Sequence, residues 1–249
     1  MARPVQLRVL KGEAWARLGG VYLTVRHALS ARLIERRLGI ETSDYVDLEA
    51  LGIDAPGRAR YLPSNWLDLR RILHERDVDA DDVFLDIGSG KGRVVLQAAS
   101  YRFRRVIGVE LSPELNAIAA ANVHSRAHSL RCRDIQLVTM NAADYAIPDD
   151  VTVIYCFNPF GGATFTAVID RLIESLDRNP RTLRFIYNIA AEEPTLLGTG
   201  RFHKVRTARG LRPGRAWSRK MSIHMYSTDP DTERRLKAAV VEPGQAPAS

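Results

Sequence analysis

Cysteine is scarce in this sequence: the 249 residues contain only Cys132 and Cys156. Two thiols are too few for a disulfide framework or a four-cysteine zinc site, and the six histidines lack the His-x-x-x-His spacing of a metal site. No apolar stretch approaches the roughly 18 residues that cross a bilayer, and none near the amino terminus is long enough for a signal peptide. We therefore expect a cytoplasmic protein without a bound metal or a membrane partner.

The composition is that of an ordinary globular protein. Hydrophobic residues make up 45% of the chain and charged residues 26%, which excludes a mainly disordered chain and a collagen-like fibre. The net charge of +7 permits an anionic partner such as nucleic acid or acidic lipid. The composition favours the simpler interpretation, a basic surface without such a partner.

The chain divides by composition into three parts. Residues 1–60 repeat apolar side chains at three- and four-residue spacings, which predicts an N-terminal helical extension rich in arginine. Residues 61–227 are expected to form the main domain. Residues 228–249, rich in Pro, Ala, Gly, Glu and Ser, are expected to form a flexible C-terminal tail.

Within the main domain, short apolar runs alternate with helical patterns, which is typical of a parallel sheet covered by helices on both faces. The last two apolar runs, near 202–207 and 221–226, have no helix-length segment between them and predict a hairpin at the sheet edge. The predicted helices begin near Trp66, Gly90, Pro113 and Ala163, and the other predicted strands are 83–86, 106–109, 135–138, 151–155 and 183–187.

The densest motif is a glycine loop between a predicted strand and a predicted helix. Asp86 ends the strand, and glycines at 88, 90 and 92 follow; glycine is needed where the backbone adopts a positive φ or lies against a ligand. Glu110 ends the next predicted strand, where its carboxylate can accept both hydroxyls of a ribose. The loop and the acid together predict a nucleoside site.

Spacing argues against two common nucleotide motifs. A dinucleotide loop reads Gly-x-Gly-x-x-Gly, but the sixth position counted from Gly88 is Arg93. Lys91 does not have the spacing of a phosphate-binding Gly-x-x-x-x-Gly-Lys-Ser/Thr loop, which disfavours ATP hydrolysis. An acid directly before the loop instead suits the cationic end of a ligand. A nucleotide-dependent oxidoreductase is the weaker alternative, because the chain also lacks room for a separate substrate domain.

Three runs of the sequence together resemble class I S-adenosylmethionine-dependent methyltransferases: Asp86-Ile-Gly-Ser-Gly-Lys-Gly-Arg93, Val106-Ile-Gly-Val-Glu110-Leu-Ser-Pro-Glu and Asn141-Ala-Ala-Asp144. The glycine loop and the Gly-Val-Glu block are also similar to non-SET protein lysine methyltransferases. The resemblance covers about residues 60–227. It implies S-adenosylmethionine as the cofactor and a Rossmann-like α/β fold, with a seven-stranded, mostly parallel sheet whose last strand is antiparallel.

The resemblance also implies residue roles. Asp86 would lie near the methionine amino group, Gly88 and Gly90 under the cofactor, Glu110 on the ribose and Asp144 by the adenine amino group, although Asp144 has an equally good reading as a helix or loop cap. The full set implied for cofactor binding is Asp86, Gly88, Ser89, Gly90, Gly92, Glu110, Leu111, Asn141, Asp144 and Asn158.

The catalytic candidates are Asn158, Pro159 and Phe160, which follow the fourth apolar run. This motif resembles the Asn/Asp-Pro-Pro-aromatic segment of amino N-methyltransferases, but it has one proline. An asparagine oxygen and a backbone carbonyl there can hold the hydrogens of an attacking amine, which is a positioning effect. The alternative is a turn that closes the strand, with Phe160 packed on the core.

Two further segments have open interpretations. The segment 61–66 contains two aromatic residues and either covers the cofactor as a lid or anchors the following helix through Trp66. The stretch 201–220 contains eight basic and no acidic residues, which suits either a solvated loop or the binding of an acidic peptide or nucleic acid.

The function that these observations predict is methyl transfer from S-adenosylmethionine to a nitrogen acceptor, possibly a protein lysine. One alternative is a methyltransferase acting on a small molecule or RNA. The other is a non-enzymatic nucleic-acid-binding module on a Rossmann-like scaffold, which the basic N-terminal region and the stretch 201–220 motivate.

Overall fold

A computed structural model describes residues 31–43, 63–210 and 221–238, together with Val25 and Leu29. The chain divides into two compact units, residues 1–44 and 45–249, which we describe separately. The predicted domain boundary after residue 60, most of the N-terminal extension and the end of the predicted tail lie outside the described residues.

The described part of the first unit is helical, as the sequence predicts. A π-helical turn, Ala31–Glu35, runs into a short helix, Arg36–Leu38, which ends at Gly39 with a φ of +65°. Glu35 is buried, and its carboxylate accepts hydrogen bonds from the Thr42 hydroxyl (2.9 Å) and the Thr42 backbone N–H (3.1 Å). This acid therefore ties the end of the helix to the segment that follows it.

The second unit contains one seven-stranded mixed sheet. The first five strands are parallel, and the last two form an antiparallel hairpin at the edge, as predicted. The strands are β1 Val83–Ile87, β2 Arg105–Glu110, β3 Asp134–Thr139, β4 Val153–Cys156, β5 Arg184–Asn188, β6 His203–Ala208 and β7 Ile223–Ser227. Their order is β3-β2-β1-β4-β5-β7-β6, which confirms the predicted Rossmann-like α/β fold class.

Six helices accompany the sheet in the described part of this unit. They are α1 Asp68–Ile72, α2 Arg93–Ala99, α3 Pro113–Arg126, α4 Gly162–Arg178, α5 Glu193–Gly198 and α6 Thr232–Ala238. The longest, α4, buries Phe165, Val168, Ile169, Leu172 and Leu176. This three- and four-residue spacing places one apolar face of α4 against the sheet.

The strand order determines where a ligand can bind. β1 lies between β2 and β4, so the chain leaves β1 toward one side of the sheet and returns through β4 on the other. In open α/β sheets this reversal leaves a crevice at the carboxyl ends of the strands. Asp86, Glu110 and the segment after Cys156 all lie at that end of the sheet.

The prediction that the flexible tail begins at residue 228 is wrong, because Thr232–Ala238 form α6. Glu233 pairs with Arg206 of β6 over 2.8 Å, and the Thr232 hydroxyl lies 2.6 Å from that of Ser227. The short run Thr-Glu-Arg-Arg-Leu-Lys-Ala favours a helix, but it does not show in the average composition of residues 228–249. Across the described ranges, no helix is both long and apolar enough to cross a membrane.

Candidate active site

The glycine loop after β1 has the backbone conformation that its sequence predicts. Gly88, Gly90 and Gly92 have φ values of +78°, +52° and +79°, in the left-handed region that favours glycine. The N–H groups of Gly88 and Ser89 both donate to the Val109 carbonyl, at 2.9 and 3.0 Å. The loop is therefore held against the end of β2 and turns directly into α2.

Gly88 also lies against the segment that follows β4. A Cβ atom at Gly88 would lie 2.7 Å from Cβ of Pro159, closer than nonbonded carbon atoms approach. Asn158, directly before this proline, has a φ of +37°, which few residues other than glycine adopt. The two motifs singled out in the sequence, the glycine loop and the Asn-Pro-Phe segment, are therefore in direct contact.

Asp86 is the more deeply buried of the two acids of the site. Its side chain is 3% exposed, and it accepts no hydrogen bond from the part of the chain that the structure describes. Burial, and secondarily the negative charge of Glu110, raise the pKa of Asp86 well above its ordinary value. A carboxylate in this position is stabilised by a cation, which would supply both the missing charge and the missing hydrogen bonds.

Glu110 is held by backbone donors on both sides. Its Oε2 accepts from the Gly90 N–H over 2.7 Å, and its Oε1 accepts from the Ser112 N–H over 3.0 Å. Ser112 in turn caps α3, because its hydroxyl accepts from the Leu115 N–H. The carboxylate thus lies between the glycine loop and the start of α3, in an orientation that can accept further hydrogen bonds from hydroxyl groups.

A cavity opens between the carboxyl ends of β1, β2 and β4, and most of the predicted site residues line it. Ser89 adds a buried hydroxyl that has no hydrogen-bond partner in the described structure. The predicted residues in the lining are Asp86, Gly88, Ser89, Glu110, Leu111, Asn141, Asn158, Pro159 and Phe160.

Three predicted cofactor residues do not line this cavity. Gly90 contributes through its hydrogen bond to Glu110, and a Cβ at Gly92 would lie 2.9 Å from that of Ala119, so Gly92 allows α2 and α3 to approach. Asp144 is exposed, and its N–H donates to the Asn141 carbonyl. The lining at that end consists instead of Met140, Asn141 and Ala142.

The Asn158 side chain is held from the next strand. The Tyr187 hydroxyl of β5 donates to Oδ1 of Asn158 over 3.4 Å and accepts from the Glu192 N–H over 3.3 Å. The Tyr187 ring is fully buried and stacks on Phe165, with 5.3 Å between centroids. Tyr187, which no sequence motif identifies, joins the loop after β4 to the loop after β5.

A second tyrosine that no sequence motif identifies, Tyr155, forms one wall of the cavity. Tyr155 is paired with Asp86 in the sheet register, so both side chains lie on the same face. Its hydroxyl lies 3.1 Å from Oγ of Ser64 and accepts from Nδ2 of Asn188 over 3.0 Å. Burial and the nearby Asp68 raise the pKa of Tyr155, which keeps the phenol neutral.

The segment before α1 forms another part of the wall. Pro63 and Ser64 line the cavity. Arg93 donates to the Ser64 carbonyl over 2.7 Å, and its guanidinium lies 5.0 Å from the centre of the Trp66 ring. Trp66 thus packs against α2, as the anchor interpretation expects, while the residues just before it border the cavity, as the lid interpretation expects. Tyr61 lies outside the described residues.

The basic stretch 201–220 is not a continuous loop. His203–Ala208 form β6, and residues 211–220 lie outside the described structure. Three of its basic side chains form ion pairs within the fold: Arg201 with Asp177, Lys204 with Glu193, and Arg206 with Asp77 and Glu233. Pairing of this kind reduces the positive charge available to an anionic partner.

The chain is similar to known proteins in sequence and in structure. Residues 84–179 match the family model described as a methyltransferase domain. A curated protein-lysine N-methyltransferase from Saccharolobus islandicus is 34% identical over 64 residues, which cover 25% of this chain and 40% of that protein. The chain thus matches less than half the length of this curated relative.

Two solved structures illustrate the structural comparison. An RNA methyltransferase from Salinibacter ruber in complex with S-adenosyl-L-homocysteine is 19% identical, with a TM-score of 0.46, and the match covers 67% of this chain and 94% of that one. A magnesium protoporphyrin IX methyltransferase from Synechocystis with bound S-adenosylmethionine is 16% identical, with a TM-score of 0.43, and the match covers 58% and 68%.

Proposed function

Because the chain carries a class I S-adenosylmethionine-dependent methyltransferase domain, we propose that it transfers a methyl group from S-adenosylmethionine to a nitrogen atom, with a protein lysine as the first candidate acceptor. The observation that carries this proposal is the contact between the glycine loop and the Asn-Pro-Phe segment at Gly88 and Pro159. Most of the predicted cofactor residues, Asn158 among them, line one cavity beside this contact.

The residues of the cavity fit this cofactor. Asp86 is a buried acid without a hydrogen-bond donor among the described residues, and the cofactor carries a cationic amino group. The buried, unpartnered hydroxyl of Ser89 and the carboxylate of Glu110 add polar contacts for a nucleoside. When bound, S-adenosylmethionine supplies a methyl group attached to a positively charged sulfur.

The contribution of the protein to methyl transfer would be positioning. Oδ1 of Asn158 is already oriented by Tyr187 and retains a second lone pair for an N–H of the acceptor. Holding the amine by its hydrogens aims its lone pair at the methyl carbon and removes the entropic cost of a chance encounter. The acids of the cavity are assigned to the cofactor, so the amine would have to arrive neutral.

A protein lysine is preferred over the other acceptors for one reason. The matched segment of the curated relative belongs to a protein-lysine N-methyltransferase, and lysine is a nitrogen acceptor of the kind that the Asn158 geometry suits. A small molecule and RNA are the other acceptors that the experiment below separates.

The test is to incubate the protein with a cell extract and radiolabelled S-adenosylmethionine, and to fractionate the products. We expect label in protein, recovered as methylated lysine after hydrolysis. Label in RNA or in small molecules would contradict the lysine assignment while supporting methyl transfer. No label in any fraction, with no calorimetric binding of S-adenosylhomocysteine, would contradict the proposed function and leave nucleic-acid binding as the alternative.

A further inference from the structure

Glu192 lies in the loop after β5, directly before α5, and it contacts the loop after β4 in two ways. Its backbone N–H donates to the Tyr187 hydroxyl over 3.3 Å, and that hydroxyl donates to Oδ1 of Asn158 over 3.4 Å. Its carboxylate accepts from the Gly162 N–H over 3.0 Å. Asn158 and Gly162 are the two ends of the segment 158–162, so Glu192 is connected to both ends of this segment.

The Glu192 carboxylate also fits closely against this segment. A Cβ atom at Gly161 would lie 2.7 Å from Oε1 of Glu192, so the carboxylate packs directly on the backbone there. Gly161 precedes α4 and has no side chain that could cap this helix. The carboxylate of Glu192 takes that role, because an acid at a helix N-terminus satisfies an N–H group of the first turn and interacts favourably with the helix dipole.

The backbone of Asn158 is strained, and the hydrogen bonds through Tyr187 restrain it only weakly. Asn158 has a φ of +37°, a conformation that persists where the surroundings enforce it. The two bonds of the Tyr187 hydroxyl, at 3.3 and 3.4 Å, are longer than the usual range. The 3.0 Å bond between Gly162 and the Glu192 carboxylate is within that range, and it is therefore the firmer restraint on the segment.

We propose that Glu192 is a positioning residue for methyl transfer, because it holds the segment 158–162 in the shape that presents Oδ1 of Asn158 to the acceptor nitrogen. The inference rests on the proposed function and adds to it a residue that does not line the cavity. Its effect depends on the hydrogen bond to Gly162 and not on the negative charge. An Asn158 oxygen that is held before the acceptor arrives avoids the loss of rate that misplacement causes.

Two variants separate the hydrogen bond from the charge. Glu192→Ala loses the acceptor for the Gly162 N–H, whereas Glu192→Gln keeps an amide oxygen that can accept from it. Glu192 is partly exposed, so we expect both variants to fold. Methyl incorporation into a cell extract, at saturating S-adenosylmethionine, should fall about 10- to 100-fold in Glu192→Ala and stay within about threefold of wild type in Glu192→Gln. The calorimetric affinity for S-adenosylhomocysteine should stay within about threefold in both.

A second measurement tests the contact itself and needs no acceptor. The Gly162 N–H should exchange with solvent deuterium about 3- to 10-fold faster in Glu192→Ala than in wild type or in Glu192→Gln, as followed by nuclear magnetic resonance. The control is Asp149→Ala. Asp149 pairs with Arg178 at the opposite end of α4 over 2.9 Å, so this variant should change neither the exchange of Gly162 nor the incorporation of methyl groups.

The possible outcomes distinguish the roles of Glu192. Equal losses of incorporation in Glu192→Gln and Glu192→Ala would show that the charge acts, which overturns the proposal. Full incorporation by Glu192→Ala would overturn it as well. If Glu192→Ala lost incorporation and S-adenosylhomocysteine affinity to the same extent, the role would be structural and the proposal would be wrong. A wild-type protein with neither incorporation nor binding would instead contradict the proposed function itself.

Discussion

The backbone N–H of Gly90 donates a 2.7 Å hydrogen bond to Oε2 of Glu110. This bond joins the glycine loop to the acid at the end of the next strand, two features that lie 20 residues apart in the sequence. A carboxylate already held by the backbone has less conformational freedom to lose when a ligand binds. The loop and the acid therefore act as one preorganised part of the site.

Replacing Glu110 should weaken cofactor binding and loosen this loop. In wild type, each oxygen of the Glu110 carboxylate accepts a hydrogen bond from one backbone N–H group. In Glu110→Gln an NH₂ group replaces one of these oxygens, so one N–H group loses its acceptor and faces another donor. We expect S-adenosylhomocysteine affinity to fall about 10- to 100-fold and the free energy of unfolding to fall by about 1–3 kcal/mol. Calorimetry and urea denaturation measure the two effects. Asp170→Asn, which neutralises an exposed acid of α4, is the control and should change neither.

Asp86 should make stability depend on pH. Because burial raises its folded-state pKa above the ordinary value of 3.8, the folded state binds a proton more tightly than the unfolded state does. The free energy of unfolding of the ligand-free protein should therefore fall as pH rises from about 4 through the folded-state pKa.

Asp86→Asn removes this titration while keeping the shape of the side chain. Relative to wild type, the variant should gain stability progressively as the pH is raised, and it should bind S-adenosylhomocysteine more weakly at pH 7. Urea denaturation at several pH values, with the exposed Asp81→Asn as control, measures the difference. A constant gap between variant and wild type across the pH range would show that Asp86 is not the titrating group.

Gly88→Ala should be more harmful than an alanine at another glycine of similar conformation. At Gly88 the methyl group meets both a φ of +78° and Cβ of Pro159 at 2.7 Å, which together cost about 2–5 kcal/mol. Gly200 has a φ of +68° with nothing within 4 Å, so Gly200→Ala should cost about 1–2 kcal/mol. Urea denaturation of both variants checks the prediction, which equal losses would refute.

Asn158→Gly should separate chemistry from folding. Glycine adopts the φ of +37° found here more readily than asparagine does, so the free energy of unfolding should change by less than about 1 kcal/mol. Methyl incorporation into the extract should fall about 10- to 100-fold, because the oxygen that holds the acceptor is lost. Asn179→Gly, at the end of α4, should retain the wild-type rate. Full incorporation by Asn158→Gly would leave Asn158 with a role in the turn alone.

The strands and the glycine loop could be predicted because they depend on local sequence. The fully buried strand β1 is an uninterrupted apolar run followed by the only residue type that adopts positive φ without strain. The hairpin of β6 and β7 was predictable because the segment between the two runs is too short for a crossover helix. Helix α6 could not be predicted from composition, because its seven residues are a small part of a longer segment rich in Pro, Ala and Gly.

The site residues that could not be predicted from the sequence are those that contact residues far away in the chain. The hydroxyl of Tyr155 contacts that of Ser64, which lies 91 residues earlier, and the hydroxyl of Tyr187 contacts Asn158, which lies 29 residues earlier. The clue that could have identified Tyr155 is its position in β4, because side chains that pair in register lie on one face. In the sequence pattern Arg93 stands where a third glycine would be, and nothing in that pattern indicates that its side chain is buried at the cavity wall.

The backbone conformations of Asn158 and Ile189 bear on how this protein could be made more heat-resistant. Both have positive φ values, +37° and +55°, both border the cavity, and for a β-branched residue such as isoleucine this conformation costs about 1–3 kcal/mol. Glycine at Ile189 would relieve this strain and raise the melting temperature, whereas at Asn158 the relief is offset by loss of the hydrogen bond from Tyr187. Glycine would also allow the loops after β4 and β5 to take other shapes. Thermal tolerance and a well-defined cavity mouth are thus opposing demands at Ile189.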